Sequence, residues 1–295
     1  MKVNGGLHLA EGGPNAHHVL FDSMDSASFA IGPGHDLTLS NSDIGPSLGC
    51  GFNQENKIGP DGNIPNAVPY NVEILRNYIH DQNGDPSGGC HFGGLFVIAG
   101  HHFTFSGNSF VRNVVYDFYV SPFAADSYGG VHDVVVENNV FAGPSEWLPN
   151  GTTWDGQPNI QLTCHGNPTP TNCNLRNWLV RFNSFYAGLH FFNQSTGSNF
   201  RVVANIGRSP AGSNCSRAAF SYNVWTGGNP CGGTDRQISA LPYQNAGLAA
   251  PNYRLQPGSS VIGIVPGTSA DQQIATDLEG LPRPATNLSP GAYNP

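Results

Sequence analysis

An aspartate set among aromatic residues is the first candidate for chemistry in this sequence. It is Asp117, in Tyr116-Asp117-Phe118-Tyr119-Val120. Period-two alternation predicts that Asp117 and Tyr119 share one face of a strand. A carboxylate in apolar surroundings is costly unless it is paired. In a proton-transfer site Asp117 would act as a base or orient a histidine, with Tyr119 as the proton donor. Two histidines lie in comparable segments, His91-Phe92-Gly93-Gly94-Leu95-Phe96 and Gly188-Leu189-His190-Phe191-Phe192-Asn193. Imidazole, with an unperturbed pKa of about 6.5, is the more natural general base at neutral pH. The plainer reading has Asp117 capping a turn or pairing with Arg112, and the histidines on a solvated face.

Other chemistry has less support. His101-His102 opens a strand, so alternation predicts that the two rings point to opposite faces and share no metal. No metal site is assigned, and no cofactor is expected. Asp- and Asn-rich loops could offer oxygen ligands to calcium, but without the spacing of an EF-hand. A Gly-rich phosphate loop, a GxSxG elbow and an HExxH motif are all absent.

The elements that would position these residues repeat. Phe103-Thr104-Phe105-Ser106-Gly107-Asn108-Ser109-Phe110 and Val134-Val135-Val136-Glu137-Asn138-Asn139-Val140-Phe141 share an apolar strand, an Asn, one residue and an aromatic. Asn77, Asn108 and Asn139 recur at an interval of 31 residues. Asn183, Asn205 and Asn223 follow at intervals of 44, 22 and 18. Leu37-Thr38-Leu39-Ser40-Asn41-Ser42-Asp43-Ile44 reads as an upstream relative with one extra residue. A repeat that carries strands and tolerates loops of varying length is the signature of a solenoid. Asn suits the left-handed conformation of a sharp corner, and stacked amides can hydrogen-bond along an axis. An ordinary β-sandwich with Asn-rich turns is the alternative.

Composition narrows the partners. Twelve Lys+Arg against 20 Asp+Glu give a formal net charge of −8, which offers no cationic footprint for nucleic acid. A local cluster of Arg176, Arg181, Arg201, Arg208 and Arg217 in the later coils is the exception. No apolar run is long enough to span a membrane. Six cysteines without CxxC spacing favour disulfides over metal. Proximity in sequence suggests Cys50–Cys90, Cys164–Cys173 and Cys215–Cys231, although sequence alone does not fix connectivity. Disulfides imply an oxidising compartment, so the expectation is a mature secreted chain whose signal peptide has been removed. Six free thiols in the cytosol is the alternative.

Residues 1–234 read as the coiled body and 235–295 as an irregular C-terminal cap. Residues 46–70 and 145–158 are long excursions, and the second carries Trp147 and Trp154. These rings either stack on sugars or pack the loop onto the body. The Asn repeat, together with Asn252-Tyr253-Arg254-Leu255-Gln256-Pro257-Gly258-Ser259-Ser260, Asp277 to Pro284 and Pro290-Gly291-Ala292-Tyr293, resembles right-handed parallel β-helix proteins of the pectate-lyase-like superfamily.

That resemblance implies an all-β solenoid with a substrate groove along one parallel sheet. In such a groove His91, Asp117, Tyr119 and His190 would supply acid and base, and Arg181 would neutralise a substrate carboxylate. Gln161, Asn193, Trp147 and Trp154 would bind the chain. The leading expectation is a secreted, monomeric polysaccharide lyase acting by β-elimination on a uronate-containing glycan. A non-catalytic glycan-binding or cell-surface rod and a glycoside hydrolase are the alternatives. The sequence departs from the superfamily's pectate and alginate lyases, which use a Lys or Arg base with calcium-binding carboxylates. Its only lysines, Lys2 and Lys57, lie outside the central coils. It also lacks the clustered aspartates of the pectin hydrolases. Fold analogy therefore sets only a starting point for function.

Overall fold

A computed structural model describes residues 2–9, 16–47, 56–59, 67–82, 93–113, 116–122, 129–142, 159–163, 174–191, 197–208, 215–247 and 250–295. Within these residues the apolar alternation becomes stacked parallel strands, so the chain is a parallel β-helix and not a sandwich. The first face is an eight-stranded ladder. It runs through Ala16–Asp22, Gly34–Ser40, Tyr70–Leu75, Gly100–Ser106, Val131–Glu137, Leu175–Arg181, Gly197–Val203 and Ala219–Ser221. The second face stacks Asp43–Ile44, Tyr78–His80, Ser109–Val111, Val140–Phe141, Ser184–Phe185, Ile206–Gly207, Val224–Trp225 and Arg236–Gln237. The third stacks Lys57–Ile58, Leu95–Val97, Phe118–Val120, Ile160–Leu162 and Leu189–Phe191. Asp25–Ile31 pairs with the second face at its start and with the third at its end, and Lys2–Leu9 lies along it.

Register turns sequence alternation into inward columns. Leu37, Val72, Phe103, Val134, Trp178 and Phe200 lie one above another, as do Leu39, Ile74, Phe105, Val136, Val180 and Val202. All twelve side chains are buried in one continuous core. On the second face Phe110, Phe141 and Phe185 stack with ring centroids 4.9 and 5.1 Å apart. Gly100, at the tight corner entering the first face, has φ +130°, and a Cβ there would lie 2.4 Å from the Pro69 carbonyl oxygen. No other residue fits that corner.

Between the first and second faces the recurrent asparagines form a buried hydrogen-bonded ladder. Asn108 is typical. Its Oδ1 accepts from the backbone N–H of Asn77 at 2.9 Å and from Asn77 Nδ2 at 3.0 Å. Its Nδ2 donates to the Ile74 carbonyl at 2.7 Å and to Asn139 Oδ1 at 3.0 Å. Both donors and both lone pairs of the amide are thereby used. The same arrangement continues through Asn139, Asn183, Asn205 and Asn223. It ends on Asp235, whose Oδ1 accepts from Asn223 while Oδ2 accepts from Trp225 Nε1 at 3.1 Å.

Two details of the corner differ from the sequence expectation. The left-handed residue is the one before the ladder position: Asn41, Arg76, Gly107, Asn138, Phe182, Ala204 and Tyr222 all have φ between +50° and +70°. A non-glycine residue pays about 1–2 kcal/mol for that conformation. The buried amide bonds that follow offset the cost. In the upstream coil Asn41 is this left-handed residue, and Ser42 takes the ladder position, its N–H donating to Asn77 Oδ1 at 3.0 Å. No residue is extra.

The C-terminal segment lies along the side of the coil. Arg283, 8 % exposed, donates to Asn138 Oδ1 and to the carbonyls of Ser289 and Gly291, and its guanidinium sits over the Phe182 ring. Tyr243, Tyr253, Leu255, Val261 and Ala292 pack on the outward side chains of the second face. The second face is thereby covered from Val111 onward, which leaves the third face and the earlier coils of the first for function.

Candidate functional site

The third face brings part of the expected constellation together. Tyr119, Gln161 and His190 occupy consecutive positions of one row, with Phe96 on the coil before. The Tyr119 ring stacks on Phe96 at 5.2 Å and on Tyr116 at 4.9 Å, and the Tyr116 hydroxyl bonds to Gln161. Burial raises the Tyr119 phenol above its usual pKa and pushes the His190 imidazole below its own. His190 is therefore neutral at neutral pH.

Asp117 does not join this row. The strand begins at Phe118, so the alternation that paired Asp117 with Tyr119 does not run through it. Its carboxylate is fully buried and accepts from Asn113 Nδ2 at 3.1 Å and Asn159 Nδ2 at 2.9 Å. Asn159 Oδ1 in turn accepts the N–H groups of Ala187 and Gly188, so Asp117 serves a turn-holding polar cluster. Arg112 pairs with Asp81 instead, at 2.6 Å. Arg181 is also placed elsewhere. It sits on the first face, paired with Glu137 at 2.7 Å and donating to the carbonyls of Ala270 and Gln273, which fastens the C-terminal segment. His91, Trp147, Trp154 and Asn193 lie outside the described residues, as do Cys50, Cys90, Cys164 and Cys173. The expected Cys215–Cys231 disulfide is present.

The first face carries a second and larger constellation. In the third position of its strands, or the second in Tyr70–Leu75, His18, Asp36, Asn71, His102, Asp133, Asn177 and Asn199 all have φ between +52° and +57°. A left-handed residue interrupts strict alternation, so two consecutive side chains reach the same outer surface. The expectation that His101 and His102 point apart is overturned for this reason: their Nδ1 atoms are 2.6 Å from each other. The preceding position forms a ring stack down the face. His17, His35, Tyr70, His101 and His132 follow with centroids 5.2, 4.7, 5.3 and 5.1 Å apart and interplanar angles of 11° or less.

Beside this stack lies an open groove of about 550 Å³ that crosses four coils. Asp36, Thr38, Asn71, Glu73, His102, Thr104 and Asp133 line it with carboxylate, hydroxyl, amide and imidazole groups. Its lining residues include three carboxylates and neither Lys nor Arg. Hydrogen bonds from His35 and then Asn71 hold the Asp36 carboxyl below its usual pKa. For Asp133, burial opposes ionisation, but hydrogen bonds from Asn177 and His132 together lower its pKa. His101 is lowered by burial and by the neighbouring His132 and His102.

The sequence signal for this face lies in its spacing from the ladder. Each of these outer residues stands six places before its coil's ladder position: Asn71 before Asn77, His102 before Asn108, Asp133 before Asn139. Counting back from the ladder isolates His35-Asp36, His101-His102 and His132-Asp133 as pairs. No protein-family model, curated protein or solved structure matches this chain.

Proposed function

We propose that this protein is a secreted, carbohydrate-active β-helix related to the pectate-lyase-like superfamily, and that it holds a polysaccharide along the first face. The observation that carries this reading is the open groove across four coils, in which polar side chains recur at the coil spacing of about 4.8 Å. A periodic row of hydroxyl, amide and carboxylate groups suits a periodic polyol. The carboxylates favour a neutral or amino-sugar chain over a polyuronate, because like charges facing each other across a site repel. The Cys215–Cys231 disulfide supports an oxidising destination. The test is binding to a panel of soluble polysaccharides by calorimetry, with Glu73→Ala/Thr104→Ala as the variant. A ligand that binds the native protein and binds the variant at least tenfold more weakly supports the groove. An unchanged affinity sinks it.

A polysaccharide lyase acting at the third face is the second reading, supported by the row of Tyr119, Gln161 and His190, in which burial holds the His190 imidazole below its usual pKa. It predicts unsaturated products with new ultraviolet absorbance. Binding without such products across the panel leaves the non-catalytic glycan-binding reading.

A further inference from the structure

The upper end of the first face combines donor types that no polysaccharide requires. A ring nitrogen of His18, a ring nitrogen of His35 and an oxygen of Asp36 all lie within 4.8 Å of one another, the one such group among the described residues. Asp36 Oδ2 is 2.7 Å from His35 Nδ1 and 3.4 Å from His18 Nδ1. Zinc ligands about 2.0–2.1 Å from the ion stand about 3.3 Å from each other at the tetrahedral angle. The two separations, 2.7 and 3.4 Å, bracket that spacing. His17 Nδ1, 3.2 Å from His18 Nδ1, is the next donor in line.

The surroundings also suit a metal. The left-handed backbone at His18 and Asp36 is what turns both side chains outward beside their strand neighbours. The other carboxylate oxygen, Asp36 Oδ1, accepts from Asn71 Nδ2 at 3.0 Å, the kind of outer bond that orients a ligating carboxylate. Nitrogen donors exclude calcium, which takes oxygen ligands. They suit zinc and its neighbours in the first transition row.

We infer that His18, His35 and Asp36 form a binding site for one divalent transition-metal ion of the zinc type, with His17 or water completing its coordination. The site shares Asp36 with the groove, but metal binding is measured without any glycan, so its failure and that of the glycan reading are told apart.

The test is calorimetric titration of chelator-treated, dialysed protein with Zn²⁺, and visible absorption of the Co²⁺ form. His18→Asn and Asp36→Asn are the variants, since Asn already occupies the same left-handed column at Asn71, Asn177 and Asn199. Asp133→Asn is the control, because it alters the similar His132-Asp133 pair three coils away without touching the proposed ligands. The expected result is one ion per chain with micromolar or tighter affinity and tetrahedral-type Co²⁺ bands. Both variants should then lose at least tenfold while the control is unchanged. Absence of one-to-one binding by the native protein overturns the site. So does unchanged affinity in either variant, or an equal loss in the control.

Discussion

Two columns of polar side chains run the length of this coil, one buried at the corner between the first and second faces and one exposed on the first face. The buried column holds Asn at every coil from Asn77 to Asn223. The exposed column varies through His18, Asp36, Asn71, His102, Asp133, Asn177 and Asn199. The difference is one of accounting for donors and acceptors. Away from water, each side chain must accept twice from the coil before it and donate once to each adjoining coil, and only a carboxamide does both. At the surface water fills any gap, so the residue type is released from architecture and becomes available for chemistry.

Breaking the contrast at the buried column should have the largest effect. Asn139→Leu removes the acceptor of the Asn108 backbone N–H, one of the two acceptors of Asn108 Nδ2, the side-chain donor to the Phe105 carbonyl and one of the two donors to Asn183 Oδ1. A loss of about 3–5 kcal/mol in urea unfolding is expected. The matched exposed change, Asp133→Asn, should stay within about 0.5 kcal/mol. Equal losses at the two sites would erase the distinction. A smaller effect is expected where the ladder ends. Asp235→Asn turns an amide N–H₂ toward either Asn223 or Trp225, both of which are donors. This should cost about 1–2 kcal/mol.

The smallest effect concerns the exposed stack and its pH dependence. Burial first, and the nearby His132 and His102 second, hold His101 below the usual histidine pKa. The unfolded chain therefore takes up this proton at higher pH than the folded protein. Stability should fall as pH drops below about 6.5 toward the folded value. His101→Tyr, which repeats the neighbouring Tyr70, keeps the ring and removes that slope. A slope that persists in the variant assigns it to another histidine. The lowered carboxyls of Asp36 and Asp133 contribute stability at neutral pH that is lost only as pH falls from about 3.9 through their folded values.

The architecture was legible because it is periodic and buried. All six asparagines picked out by the repeat, at intervals of 31, 44, 22 and 18, are ladder members. The site was harder to read for a physical reason. Alternation predicts the direction of a side chain only while the backbone stays extended, and it fails at His102 and Asp133, where φ is positive. The same rule misplaced Asp117, one residue outside its strand. Tyr119, Gln161 and His190, all inside short regular strands, fell in one row as expected. Arg181 drew attention for its charge, yet that charge is used by Glu137 and two carbonyls that hold the C-terminal segment.

Every rung of the ladder reads only the rung on either side of it. Rod length is therefore a free variable: a 31-residue unit such as Asn108 to Asn139 can be copied or deleted, and the flanking rungs meet the same chemical groups as before. Asp235 is the one member that cannot be copied inward, because an acceptor-only side chain has nothing to pass on. Growth of such a chain by tandem duplication would have to occur upstream of Asp235, carrying the outer histidine and aspartate pairs along with each new turn.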